Sequence, residues 1–118
     1  AHTKEMNELL KTKVGEDFTS AVYIGGMKQQ QREEASKADI ICGTYAMAQE
    51  GLDIPTLDTL ILATPKTSIT QSVGRILRDA PDKKDPVVVD FVDAEIPVLN
   101  AYWWARKKTY NNLGYNFL

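Results

Sequence analysis

Gln71-Ser72-Val73-Gly74-Arg75-Ile76-Leu77-Arg78 is the stretch around which the rest of the chain is organised. Wound as an α-helix, it divides into two sides. Gln71, Arg75 and Arg78 stand at i, i+4 and i+7, so one carboxamide and two guanidiniums share a stripe. Ile69, Val73, Ile76 and Leu77 fall opposite, on the side that packs against a sheet. Gly74 lies beside the polar stripe, where it costs the helix roughly 1 kcal/mol relative to alanine and lets something approach the backbone. Two arginines on one face make a forked receiver for phosphate oxygens. Taken alone, the octet also fits a surface helix with solvated arginines, because short motifs recur by chance.

A chain of 118 residues, 43% apolar and 25% charged, fits one soluble domain that can bury a core without disulfides or metal. Its formal charge of −2 provides no global positive field, so contacts to nucleic acid must come from local side chains and amides. Cys42 is the single cysteine and stands in an apolar run, reading as a buried thiol in a reducing compartment. His2 is the single histidine and has no metal-like partners nearby in sequence, so no metal site is expected. There is no signal peptide and no apolar run near 18 residues, so neither secretion nor a membrane span is expected, and the location reads as intracellular.

Residues 3–14 predict a helix with an apolar stripe of Met6, Leu9, Leu10 and Val14, ended by Gly15. Residues 21–24 predict a strand closed by Gly25 and Gly26; 27–37 an exposed polar helix; 38–43 a strand; and 45–50 one or two helical turns. Pro55 makes 51–55 a loop. Residues 59–63 predict a third strand, after which Thr67 or Ser68 caps the central helix. Residues 79–85 are a charged turn, and the β-branched run at 86–92 is a fourth strand. The last helix, about 96–113, turns Leu99, Tyr102, Trp103, Tyr110 and Leu113 to one side and Trp104, Lys107 and Lys108 away. That indole beside two lysines suits either base stacking or the cover of a neighbouring loop. Residues 115–118 add a short strand or pack. Alternating strands and helices, with strands apolar on both faces, indicate an α/β fold with a parallel sheet flanked by helices. Ligands of such sheets sit at the carboxyl ends of the strands, where Gly25-Gly26, Gly43-Thr44, Thr64-Pro65 and Asp93 all lie.

The segment Gly43-Thr44-Tyr45-Ala46-Met47-Ala48-Gln49-Glu50-Gly51-Leu52-Asp53-Ile54-Pro55 is a second motif. Gly43 and Thr44 offer backbone N–H groups and a hydroxyl, which suit a phosphodiester. Asp53 is placed to accept from a ribose hydroxyl, though Gly, Asp and Pro in this order also make an ordinary turn.

In this order and spacing the two motifs resemble motifs V and VI of the second, C-terminal RecA-like domain of a superfamily-two helicase, with the strand at 57–63 between them. Residues 1–4 resemble the end of the motif IV region, and the resemblance runs to about residue 93. Gln71 in place of His at the head of motif VI is unlike the DEAD-box branch and closer to the DNA-repair, recombination and viral transcription branches. The resemblance implies a three-layer RecA-like (P-loop NTPase type) domain over residues 1–118, lacking its first strand. It implies that Gln71 and Arg75 contact nucleotide phosphates and that Arg78 is an arginine finger. Gly51 and Asp53 would line the nucleotide side of a cleft. Thr44, with Gly43 and the Gly25-Gly26 loop, would grip a DNA or RNA single strand. The implied cofactor is ATP with Mg2+, held mainly by a partner N-terminal RecA-like domain, because this chain has no G-x-x-x-x-G-K-[ST] loop and no Asp-Glu pair after a strand. Alone, the chain is expected to be inactive. Two other readings share these residues. One is a Rossmann-like domain that binds a nucleotide unaided, and the other is an interaction module that keeps only the fold.

Overall fold

The computed structural model describes residues 2–50, 54–70, 73–74 and 84–118, apart from the side chains of 48–50. It forms two compact units, Ala1–Leu52 and Asp53–Leu118.

The first unit runs α1 (His2–Val14), β1 (Ser20–Tyr23), α2 (Gln29–Ala35), β2 (Ile40–Gly43) and α3 (Tyr45–Glu50). β1 and β2 pair in parallel, with Ser20 opposite Ile40 and Tyr23 opposite Gly43. The pairing starts from a reciprocal clamp. Thr19 donates its N–H and its hydroxyl to Asp39 Oδ2 at 2.9 and 3.1 Å, and Asp39 N–H donates back to Thr19 Oγ1 at 3.0 Å. Side chains alternate along a strand, so Ala21 and Tyr23 of β1 share a face with Ile41 of β2. That face packs with Ala35 of α2, Met47 of α3 and Met27. α1 runs against both strands, and Gly15 ends it at φ +66°, a left-handed conformation suited to glycine.

α1 is rotated from its expected setting. Leu10 and Val14 are partly covered, as the stripe predicted, but Met6 and Leu9 are 40% and 55% exposed and Asn7 is buried instead. A two-stranded platform covers only a narrow stripe of a helix, and here the stripe is Thr3, Asn7, Leu10 and Val14.

The second unit holds β3 (Thr59–Leu62), β4 (Val87–Asp90) and α4 (Pro97–Asn112). β3 and β4 are parallel, with Leu60 opposite Val88 and Leu62 opposite Asp90. Between them Thr70, Val73 and Gly74 are helical, and Val73 N–H donates to Ile69 C=O at 2.9 Å. Ile69 and Val73 have no exposed surface at all, on the side the sequence assigns to packing. The strands are apolar on both faces, yet Ile61, Val87 and Val89 stay open while Leu62 is buried. α4 starts on Pro97, whose fixed φ suits a first helical residue. It ends before Gly114 at φ +83°, and no strand follows. Instead Tyr115 and Phe117 fold back on Trp103 and Tyr110, with ring centroids 6.0–6.3 Å apart.

The rotations of two helices are open to test by urea denaturation. Ile69→Ala is expected to cost about 2–5 kcal/mol, as for other large-to-small changes in a closed core. Leu9→Ala, at an exposed position, should stay within about 0.5 kcal/mol. Burial pushes the Cys42 thiol up from its ordinary range, so its thiolate is scarce at neutral pH. Alkylation of the native chain should therefore be slow near pH 7 and accelerate only at a higher pH than for a free thiol.

Candidate nucleotide and nucleic-acid site

In the first unit, the parallel register that sets Tyr23 beside Gly43 brings two loops to one sheet edge. Gly43 is glycine for a steric reason, since an added Cβ would stand 3.3 Å from Tyr23 O. Gly26 has φ +82°, and Ile24 N–H donates to Met27 Sδ at 3.2 Å across the turn. Gly25 and Gly26 are exposed, and a Cβ at either would meet nothing within 4 Å. Thr44 stands just before α3, and its Oγ1 accepts Met47 N–H at 3.3 Å. The hydroxyl therefore caps a short helix through its oxygen, a contact that does not use its proton. The structure thus collects Gly25, Gly26, Gly43 and Thr44 at the edge where the sequence predicted a grip.

In the second unit, the loops at Thr64-Pro65 and Asp93 likewise leave one edge of the β3–β4 pair. Gly74 is helical and half-buried, and an added Cβ there would meet none of the described residues within 4 Å. Gln71, Arg75 and Arg78, with Gly51 and Asp53, lie outside the described residues.

What the sequence reading missed is a buried ionic knot under this edge. Arg106 of α4 is 2% exposed. Its Nε and Nη2 donate to Asp90 Oδ2 and Oδ1 at 2.7 and 2.8 Å, a bidentate pair, and its Nη1 donates to Lys66 O at 2.8 Å. Tyr110 OH donates to Asp90 Oδ2 at 2.6 Å. One guanidinium thereby fastens α4 to the end of β4 and to the loop that leads into the Ile69 helix. Two signals in the sequence pointed to it. Asp90 closes an otherwise apolar strand, and Arg106 falls on the apolar side of α4 between Trp103 and Tyr110.

Among the described residues no group of three or more His, Cys, Asp or Glu is set to hold a metal ion. No described helix is long and apolar enough to cross a membrane.

No protein-family model matches the chain. Among solved structures, the C-terminal domain of the DEAD-box protein Dbp5 superposes with a TM-score of 0.63 at 16% identity, covering 94% of this chain and 65% of that one. "Putative ATP-dependent RNA helicase L396" of Acanthamoeba polyphaga mimivirus is 40% identical over 116 residues, which are 96% of this chain and 22% of the relative. The chain thus spans about a fifth of that relative's length. The chain therefore has the α/β fold of RecA-like helicase C-terminal domains, its structural neighbours. By sequence it belongs to the family of "Uncharacterized protein 108L" of Invertebrate iridescent virus 3. It is 39% identical to that protein over 88 residues and covers 80% of its length.

Removing one partner of the buried pair should be costly. Arg106→Ala leaves Asp90 without its cation and is expected to lower stability by about 3–5 kcal/mol. Added salt should change that difference little, because a buried pair is poorly screened. Urea titrations at two ionic strengths measure both effects.

Proposed function

We propose that the domain is the C-terminal half of an ATP-dependent nucleic-acid helicase or translocase, supplying an arginine finger and part of the grip on a single strand. The observation that carries this reading is the full burial of Ile69 and Val73. They belong to the packed side of a helix whose opposite stripe, in sequence, is Gln71, Arg75 and Arg78. The name of the mimivirus relative supports ATP and RNA as the substrates. The Gln at position 71 favours a branch other than the DEAD-box one, and the viral sources of the relatives support an intracellular setting.

In this reading residues 1–118 act as one helicase C-terminal domain beside an N-terminal RecA-like domain of the same parent protein. That partner holds Mg2+ and the β- and γ-phosphates. ATP supplies the phosphoanhydride whose cleavage drives the cycle. Gly51 and Asp53 line the nucleotide side of the cleft. Gln71 and Arg75 bind phosphate oxygens through fixed forks, and Arg78 neutralises charge that develops as the terminal phosphoryl group leaves. When that charge departs, the guanidiniums lose their anchor and the cleft opens, so that alternating grip becomes movement. The strand is held by phosphodiester contacts from the Thr44 hydroxyl and from amides of Gly43, Gly25 and Gly26, which carry no base preference.

In the two-domain parent, Arg78→Ala is expected to cut turnover by about 10³–10⁵-fold, with far less effect on ATP binding and none on the melting temperature. Unchanged turnover would falsify the finger assignment. The 118-residue chain by itself should hydrolyse no ATP above buffer, with or without oligonucleotide. A phosphate-release assay on the purified chain checks this. It should bind single strands no more tightly than about 10⁻⁴–10⁻⁶ M at physiological salt.

A further inference from the structure

α4, which belongs to neither sequence motif, carries an exposed aromatic and basic patch. Trp103 and Trp104 are neighbours with opposite fates. Trp103 turns into the ring cluster with Tyr110 and Phe117. Trp104 takes no part in that cluster and is 57% exposed. Lys107, one turn on, lays its Nζ 4.9 Å from the Trp104 ring centroid and 5.8 Å from that of Phe117, itself 46% exposed. Among the described residues Lys107 has no carboxylate partner. Lys108 extends the same face, exposed beside Trp104 at i+4.

From this arrangement we infer that Trp104, Phe117 and Lys107 form a stacking site for single-stranded RNA, supplementing the phosphodiester grip proposed above and resting on that reading. A cation held by two aromatic faces is already desolvated on one side, and its uncompensated charge suits a phosphate. The indole offers a flat, sequence-tolerant platform for a base within reach of that cation. The composition argues against a protein partner, because the core of a protein interface is depleted of lysine, and here the lysine sits at the centre. The Thr44 contacts hold only the backbone of a strand. A stacked base adds the element they lack, a contact that resists sliding of the bases themselves.

The test uses the full 118-residue chain and a fluorescein-labelled oligouridine, titrated at low salt, on the order of 50 mM, where backbone contacts are strongest. Trp104→Ala should weaken binding about 5- to 150-fold, the range one base stacked on an aromatic ring contributes. Trp104→Phe should restore most of it, and both variants should melt with the wild type. Lys107→Ala should weaken binding and flatten the salt dependence. In a Trp103→Phe background, where Trp104 is the only indole, the oligonucleotide should quench the emission. Thr44→Ala separates this inference from the reading beneath it. If Thr44→Ala weakens binding while Trp104→Ala does not, the stacking site is wrong and the grip stands. If oligouridine binding is undetectable for the wild type, both fall. If Trp104→Ala leaves RNA affinity unchanged but abolishes a concentration-dependent self-association in sedimentation, the patch is a protein interface and the inference is overturned.

Discussion

Arg106 within its cage of Asp90, Lys66 C=O and Tyr110 is the interaction on which the second unit depends. Burying a guanidinium and a carboxylate costs several kcal/mol per ion, and only near-complete pairing offsets it. Here the pairing is near-complete, since both oxygens of Asp90 and three nitrogens of Arg106 are used. The consequence is geometric more than energetic. Any other seating of α4 would strand Asp90 without its cation. The loop before the Ile69 helix is held by the same side chain, so the helix that opens the Gln-Ser-Val-Gly-Arg motif starts from a fixed point. Under the proposed function that fixity would serve the delivery of guanidiniums to a phosphate, because catalytic electrostatics depends on placement.

The first unit is governed by a different constraint, the register of one parallel strand pair. Thr19 and Asp39 lock its start with three hydrogen bonds. At its far end, a Cβ on Gly43 would crowd Tyr23 O at 3.3 Å, so glycine is the residue that fits there without a shift. Between those points the register admits no slip, and a slip of one residue would turn every apolar side chain to the wrong face. The two glycine loops then emerge together. Thr44 accepts from α3 through its oxygen, a structural capping role that leaves the hydroxyl proton for the binding role proposed above.

Exposed aromatic surface on α4 fits the same pattern of division. Trp103 stabilises the fold and Trp104 does not, although the two are adjacent in sequence. A helix rotates adjacent residues by more than a quarter turn, so one indole can be packed while its neighbour is presented. Lys107, lodged between Trp104 and Phe117, adds the charge that a purely apolar patch would not carry.

The sequence by itself determined the order and type of elements, because hydrophobic period and Gly and Pro punctuation are local properties. Helix 3–14 emerged as His2–Val14, helix 96–113 as Pro97–Asn112, and the strands to within a residue or two at each end. Ile69 and Val73 were legible as core for the same reason, as were Gly25, Gly26, Gly43 and Thr44 as strand-end residues. The rotation of α1 was not legible, since Met6 and Leu9 are apolar enough to have been chosen and only the width of the sheet beneath decides which stripe is covered. Nor was the partnership of Asp90 with Arg106. A polar residue in an apolar pattern shows that a partner is needed, but which residue answers it is set by how α4 crosses the strand end, and that is fixed only in three dimensions.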